Sequence, residues 1–271
     1  MILQETDRAI VELNGNGKVI KTYKPGSEGT AYTEKAVARR LNGYGFYLPP
    51  DEFDGRRVIS TFYGPDLYRV LGGTDRVEGY LRSVYSCLAQ ESRAGTALIG
   101  IPPFVNVTEH VHTILSLLGL PKWMIGHLYP THNLIPVSYD PDPGNFLVDG
   151  GIVRIDIANT IYGPPLWGVA YFIFHLDGHN QRRIGANEAN RLREKAVDLL
   201  FDERIREILV DDPKRFEREL LRATLAVYSN FAYRRLRLDG ISRRDPDLAA
   251  YCLNMLGRTL TSSDINEWFD V

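Results

Sequence analysis

The chain has 271 residues, enough for one large domain or two lobes with a core each. Its 44% apolar and 24% charged residues are those of an ordinary globule, and a net charge of −2 leaves no overall electrostatic footprint for nucleic acid. Cys87 and Cys252 form neither a Cys-x-x-Cys pair nor a zinc pattern and suit a reducing compartment. Met1 to Asp7 lacks a basic start and a long apolar run, so no signal peptide is expected. The longest apolar stretch, around Val169 to Phe174, is too short to span a bilayer. A cytoplasmic protein is expected, with peripheral membrane contact unsupported and oligomeric state unspecified.

The first part of the chain reads as β. Ala9–Leu13 and Lys18–Tyr23 flank Asn14-Gly15-Asn16-Gly17, a strong hairpin turn. Alternation puts Val19, Lys21 and Tyr23 on one strand face, and a lysine beside two apolar residues needs a partner. Without one, Lys18, Lys21 and Lys24 read as solvated strand lysines. Pro25-Gly26-Ser27 breaks the strand, and Ala31 to Leu41 reads as a helix. Glu34 shares an inward stripe with Val37 and Leu41. Phe46 to Glu52 is extended, Arg57 to Tyr63 is a further strand, and Gly64-Pro65-Asp66-Leu67 turns into a helix.

From Thr74 the pattern is mostly helical. Thr74 or Asp75 could cap a helix through Gln90, with Val77, Leu81, Val84 and Leu88 on one stripe. Glu91 to Phe104 is loop-like, and Val105 to Leu118 reads as a second helix. Beyond Tyr162-Gly163-Pro164-Pro165-Leu166-Trp167 a helix runs through Leu176. Two long amphipathic helices are expected at about Asn187–Leu209 and Pro213–Leu238, then a shorter one near Pro246–Leu260. A β-rich start and an α-rich remainder give an α+β, two-lobed chain.

The most informative stretch is Ser138 to Asp156. Phe146-Leu147-Val148 and Ile152-Val153-Arg154-Ile155 read as two short strands joined at Asp149-Gly150. A tight hairpin returns the chain to its start, so Asn145 should end beside Asp156. Two neighbouring oxygen ligands suit a hard cation such as Mg²⁺.

The stretch resembles the catalytic and metal loops of the protein-kinase-like phosphotransferases. It is nearest the aminoglycoside and choline phosphotransferase branch, whose pattern runs Asp-x-x-x-Gly-Asn, a hairpin, then Ile-Asp. Asp140-Pro141-Asp142-Pro143-Gly144-Asn145-Phe146-Leu147 also resembles a kinase-like family of ubiquinone synthesis. The resemblance implies a bilobal protein-kinase-like fold, with a small β-rich N-lobe over 1–63 and a larger helical C-lobe over 64–271. It implies ATP and Mg²⁺ as cofactors and a hydroxyl on a small molecule as acceptor. Asp140 would orient that hydroxyl, Asn145 and Asp156 would bind Mg²⁺, Lys21 would hold the phosphates and Glu34 would hold Lys21. Glu28 is a weaker candidate for Glu34's role. Thr61, Phe62 and Tyr63 would form the adenine-facing hinge, and Tyr162 to Trp167 would match the element that follows the metal loop.

Four departures accompany this resemblance. Ile157-Ala158-Asn159 after Asp156 replaces both Phe-Gly and the Trp-Glu-Asp style, though Asn159 could still offer an oxygen. The first strand turn, near Glu5-Thr6-Asp7-Arg8, has no glycine. Ser138 replaces a histidine that braces the loop in the family. Gly168 replaces an aspartate that also braces it, which puts loop rigidity in question. The glycine-free turn, Ser138 and Gly168 motivate one alternative, a kinase-like pseudoenzyme acting as a binding or scaffold module. Against it stand Lys21, Asp140, Asn145 and Asp156. A second enzyme reading is a protein or lipopolysaccharide kinase. No Ala-Pro-Glu-type segment follows Asp156, which disfavours a protein kinase. All six histidines lie between His110 and His179. His110 and His112, with His127 and His132, could suggest zinc, but they have no metal-ligand spacing, and no acid or Cys pairs with them on an obvious helix face. Arg234, Arg235, Arg237, Arg243 and Arg244 read first as a solvated helix face, or else as a dock for an anionic acceptor or membrane surface. Asp142, where many relatives carry histidine, is either an extra acid at the acceptor site or a turn acid.

Overall fold

The computed structural model describes residues 2–5, 8–61, 65–71, 76–148, 151–176, 185–240 and 244–270. Its N-terminal part is an antiparallel sheet in the order β1 (Ile2–Glu5), β2 (Ala9–Leu13), β3 (Lys18–Tyr23), β5 (Arg57–Thr61), β4 (Glu52–Asp54). The β2–β3 turn closes as its sequence demands. Asn14 Oδ1 accepts from the amides of Asn16 and Lys18, and Gly17 takes φ +74, which glycine adopts without a Cβ clash. Helix α1 (Glu28–Leu41) crosses the sheet. Ala31 packs with Ala9, Tyr23 and Val58 of the sheet, whereas Val37, Ala38 and Leu41 join the large core of the remaining chain. The helix starts three residues before the predicted Ala31, so Glu28 lies in its first turn. The Glu28 carboxylate accepts from the Gly26 amide at 2.9 Å.

The second part contains α2 (Leu67–Leu71), α3 (Val77–Arg93), α4 (Val107–Leu117) and α5 (Lys122–Leu128). Then come β6 (Ile135–Ser138), β7 (Phe146–Val148), β8 (Ile152–Arg154) and β9 (Thr160–Gly163), paired as β6–β9 and β7–β8. Helices α6 (Trp167–His175), α7 (Ala186–Asp198), α8 (Glu203–Leu209), α9 (Phe216–Arg235), α10 (Pro246–Thr261) and α11 (Ile265–Phe269) complete it. This is the expected α+β arrangement of a small sheet lobe and a larger helical lobe. The stripe Val77, Leu81, Val84 and Leu88 is buried as predicted.

Several boundaries differ from the sequence reading. The expected helix over 187–209 is interrupted: a 3-10 turn at Leu199–Phe201 ends it, and Asp202 starts α8 by accepting from the Arg204 amide. Helix α9 is not amphipathic; from Arg222 to Tyr233 every residue is buried, because α4, α6 and α10 pack around it. Helix α3 continues to Arg93, and a 3-10 turn over Ala94–Leu98 occupies much of the segment expected to be loop. Thr74, Asp75, Asp149 and Gly150 lie outside the described residues. No helix among the described residues is long and apolar enough to cross a membrane.

Candidate active site

A cleft of about 680 Å³ lies between the sheet lobe and the β7–β8 hairpin. Leu3, Val11, Leu13, Val19 and Val58 line it from the sheet, and Leu147 and Ile155 from the hairpin side. Lys21, Glu34, Asn145 and Asp156 line the same cleft. The β3 register opposes Lys21 to Val11 and Val58, which points its side chain with Val19 along one face.

Lys21 meets two carboxylates. Its ammonium donates to Asp156 Oδ1 in a short contact and lies 3.4 Å from Glu34 Oε2. Glu34 is buried and also accepts from the Tyr23 hydroxyl at 2.5 Å. Burial opposes the charge on Lys21, but Asp156 and Glu34 together hold its pKa well above the ordinary lysine value. One cation serves two acids, and Asp156 takes the closer contact. Burial therefore pushes the Glu34 carboxyl up against the pull of Lys21.

Asn145 ends a short 3-10 turn, Pro143–Asn145, opened by Asp142, whose Oδ1 accepts from the Gly144 amide at 2.6 Å. The Ile155 amide donates to the Asn145 carbonyl at 2.9 Å, so the hairpin brings Asn145 next to the approach to Asp156. Asn145 Nδ2 donates to the Asp140 carbonyl at 3.0 Å, which leaves the amide oxygen as this side chain's cation ligand. Asp156 has φ +55, a left-handed conformation that Asp and Asn tolerate better than most residues. An amide oxygen and a carboxylate that line the same cleft fit a hard divalent cation.

Asp140 sits beside a group that sequence reasoning did not assemble. Its carboxylate is hydrogen-bonded by Tyr171, and ligand atoms of Asp140, Asp142 and His175 lie within 4.8 Å of one another. His175 Nδ1 is 2.9 Å from Asp142 Oδ2. Burial and the neighbouring Asp142 charge push the Asp140 carboxyl above its ordinary value, opposed by His175 and the Tyr171 hydrogen bond. Burial opposes a charge on His175, but its bond to Asp142 and the Asp140 charge outweigh it and raise its pKa. His175 is not among the histidines weighed for a metal in the sequence, which are His110, His112, His127 and His132. His175 lies at the end of α6, 33 residues after Asp142, and no local spacing announces the pair.

The braces of the loop are also non-local. Ser138 Oγ accepts from Arg154 Nη2 at 2.8 Å, and its amide donates to Glu91 Oε1 at 3.1 Å. Arg154 Nε bonds Glu91 Oε2 at 3.2 Å, and the guanidinium reaches the carbonyls of Asp140 and Asn145 at 3.2 and 3.4 Å. The Trp167 indole donates to the Tyr139 carbonyl at 3.2 Å. A Cβ at Gly168 would meet Leu88 Cδ2 at 2.9 Å, so the Leu88 side chain would have to shift to admit one.

The remaining expectations divide. Thr61 lines the cleft and donates its hydroxyl to Asp51 at 2.7 Å, whereas Phe62 and Tyr63 lie outside the described residues. So do Thr6 and Asp7 of the glycine-free turn. The solvated reading of the arginine run holds for Arg237 and Arg244, which are exposed, but not for Arg234 and Arg235, which are half-buried. Arg234 donates to the Tyr139 hydroxyl in a short contact because the C-terminal end of α9 lies against the loop. Arg243 is outside the described residues.

No protein-family model and no curated protein matches the sequence. Solved structures do match in fold, and they are protein-kinase-like phosphotransferases. A choline/ethanolamine kinase family protein from Mesorhizobium loti aligns with 13% identity and a TM-score of 0.59, covering 100% of this chain and 90% of that one. Wild-type aminoglycoside 2'-phosphotransferase-IIIa, solved as its GDP complex, aligns with 14% identity and a TM-score of 0.55, covering 95% of this chain and 91% of that one. Choline kinase from Cryptosporidium parvum Iowa II aligns with 10% identity and a TM-score of 0.53, covering 96% and 88%. The fold is therefore that of the protein-kinase-like phosphotransferases. Within it, the likeness extends across almost the whole chain to the aminoglycoside and choline kinase branch.

Proposed function

We propose that this protein is a phosphotransferase that uses Mg²⁺ and a purine nucleoside triphosphate, ATP in the first instance, to phosphorylate a hydroxyl on a small molecule. The observation that carries this reading is the convergence of Lys21, Glu34, Asn145 and Asp156 on one cleft, with Asp140 bonded through its carbonyl to Asn145. Lys21 would hold the phosphates and Glu34 would hold Lys21. Asn145 and Asp156 would hold Mg²⁺, which would neutralise charge on the transferring group. Asp140 would orient the acceptor hydroxyl and receive its proton. The chemistry is mostly positioning and charge stabilisation. The hinge would be Thr61 with Phe62 and Tyr63, and the lobes would divide near residue 63.

Thermal unfolding with ATP or GTP, with and without Mg²⁺, tests the nucleotide site. The GDP bound by the aminoglycoside 2'-phosphotransferase is the reason to include both purines. At a hundred times Kd, a nucleotide adds about 2.7 kcal/mol of stability. Asp156→Asn keeps a residue tolerant of left-handed backbone and should remove the Mg²⁺-dependent part of the shift. Asp140→Asn should keep the shift and abolish turnover against a panel of hydroxylated acceptors. A wild-type-like Mg²⁺ response in Asp156→Asn refutes the metal assignment. The direct Lys21–Asp156 contact favours one second reading, a binding module whose cleft is closed by its own ion pair. That reading is selected if neither purine shifts the melting temperature.

A further inference from the structure

We infer that Arg154, anchored by Glu91, is the positioning residue that sets the geometry of the 140–145 loop relative to the metal hairpin. This inference rests on the phosphotransferase reading of that loop. The loop is short of its own hydrogen-bond donors. Pro141 and Pro143 have no backbone N–H, and the donors left are few. The Asn145 amide serves the Asp142 carbonyl, the Phe146 amide that of Pro143, and Asn145 Nδ2 that of Asp140, so further bonds to the loop come from outside it. Arginine carries five N–H donors in a rigid planar fork, the group best suited to serve several acceptors from one point.

Arg154 does this from a fully buried position. Its guanidinium bonds the Ser138 hydroxyl ahead of the loop, the Asp140 carbonyl at its start and the Asn145 carbonyl at its end. The Phe146 ring lies under the same group, with its centroid 4.8 Å from Cζ. The backbone of Arg154 is committed as well: its amide donates to Phe46 and its carbonyl accepts from Leu48, at 2.7 and 2.9 Å. Two residues later comes Asp156. One residue therefore connects the loop that would orient the acceptor, the hairpin that would hold the metal, and the strand-like segment following α1.

Glu91 fixes the fork. One carboxylate oxygen takes Arg154 Nε and the other takes the Ser138 amide. A buried ion pair is poor at raising stability, since apolar residues of similar volume often serve as well or better. What an apolar pair could not do is donate to two loop carbonyls. Ser138, where the family pattern carries a histidine, offers its hydroxyl to Arg154 arriving from β8, at 2.8 Å.

The experiment compares Arg154→Met, Arg154→Lys and Glu91→Gln with wild type. Three quantities are read: steady-state turnover of ATP with acceptor or water, the nucleotide-dependent melting shift, and amide hydrogen exchange across 138–147. Arg154→Met should lower kcat about 100-fold with KM for ATP unchanged, the size of loss produced by small misplacement of reacting groups. Exchange over 138–147 should accelerate while the β2–β3–β5 sheet keeps its protection. Arg154→Lys, which retains the charge but not the fork, should recover part of kcat. Should Arg154→Met fail to fold, Glu91→Gln supplies the decision, with a smaller fall in kcat and the same local exchange pattern. Wild-type kcat and exchange in the variants overturn the inference, as does a uniform loss of protection over the whole chain. A wild-type chain that turns over no nucleotide refutes the phosphotransferase reading alone; local loosening confined to 138–147 still supports the brace, and its absence still overturns it.

Discussion

Gly168 offers a direct test of whether the loop lacks a brace or has a different one. The resemblance predicts an aspartate here, and Gly168→Asp restores it. The second residue of α6 is a favourable place for an acid, worth about 0.3–1 kcal/mol against the helix dipole. Replacing glycine within a helix adds a few tenths to about 1 kcal/mol more. Against these gains stands Leu88, which is buried on α3 and leaves 2.9 Å for the new Cβ. Overpacking of this kind costs about 1–3 kcal/mol. The carboxylate would also lose water, and burial of a polar group without a partner adds about 1–3 kcal/mol in proteins. The net expectation is a loss of about 2–4 kcal/mol for Gly168→Asp. Gly168→Ala separates the components, because it brings the Cβ contact and the helix gain without the charge. The Leu88 terminus can rotate, so the alanine variant should lie within about 1 kcal/mol of wild type. Chemical denaturation of both variants, and of each combined with Leu88→Ala, gives the coupling energy between the two positions. A Gly168→Asp protein that is as stable as wild type and turns over faster refutes this reasoning, and marks the glycine as a true loss.

Two further predictions follow from other contacts. Trp167→Phe keeps most of the ring packing but removes the indole donor to the Tyr139 carbonyl, so it should cost about 1–3 kcal/mol and loosen the loop in hydrogen exchange. His175→Gln should show a pH-dependent cost. The pKa of His175 is raised above 6.5 in the folded chain, so its stabilisation is fully present below 6.5 and is lost as pH rises through the folded value. The difference in melting temperature between wild type and His175→Gln should therefore shrink on going from below 6.5 to well above it. The difference is the quantity to follow, because His110 is shifted in the opposite direction by burial. A difference that grows with pH shows that Asp142 does not hold His175 charged.

The parts of this molecule legible in the sequence are those with local causes. The β2–β3 hairpin follows from Asn14 and Gly17, the β7–β8 hairpin from two short apolar runs, and the α3 stripe from its spacing. For Lys21 and Glu34 the local cause reached only the placement of each charge on an apolar face of its own element; their pairing came from the family resemblance. What was not legible depends on contacts between distant segments. Asp202 ends a helical run because it caps the next one, and a periodicity count that ignores caps joins the two. Helix α9 carries arginines, a glutamate and an asparagine that look solvent-facing, yet most are enclosed. Arg222 is tied to Glu219 and the Pro130 carbonyl, and Asn230 to His110 and Tyr139.

The same distinction bears on the departures from the family pattern. A sequence comparison scores Ser138 and Gly168 one position at a time, and each then counts as a missing brace. In three dimensions the positions are not independent. Ser138 is the acceptor for a guanidinium from β8, and a side chain at Gly168 would press on the Leu88 terminus from α3. Two prolines leave the loop few donors of its own, and Arg154 and the Trp167 indole add external ones from two sides. The argument for a lost activity therefore cannot be made from these two positions. It would have to come from the cleft itself, where Lys21 already bonds Asp156 and a metal–nucleotide complex must separate them to bind. The cost of opening that pair, read as the Mg²⁺-dependent part of the nucleotide shift, is what divides a working phosphotransferase from a closed binding module.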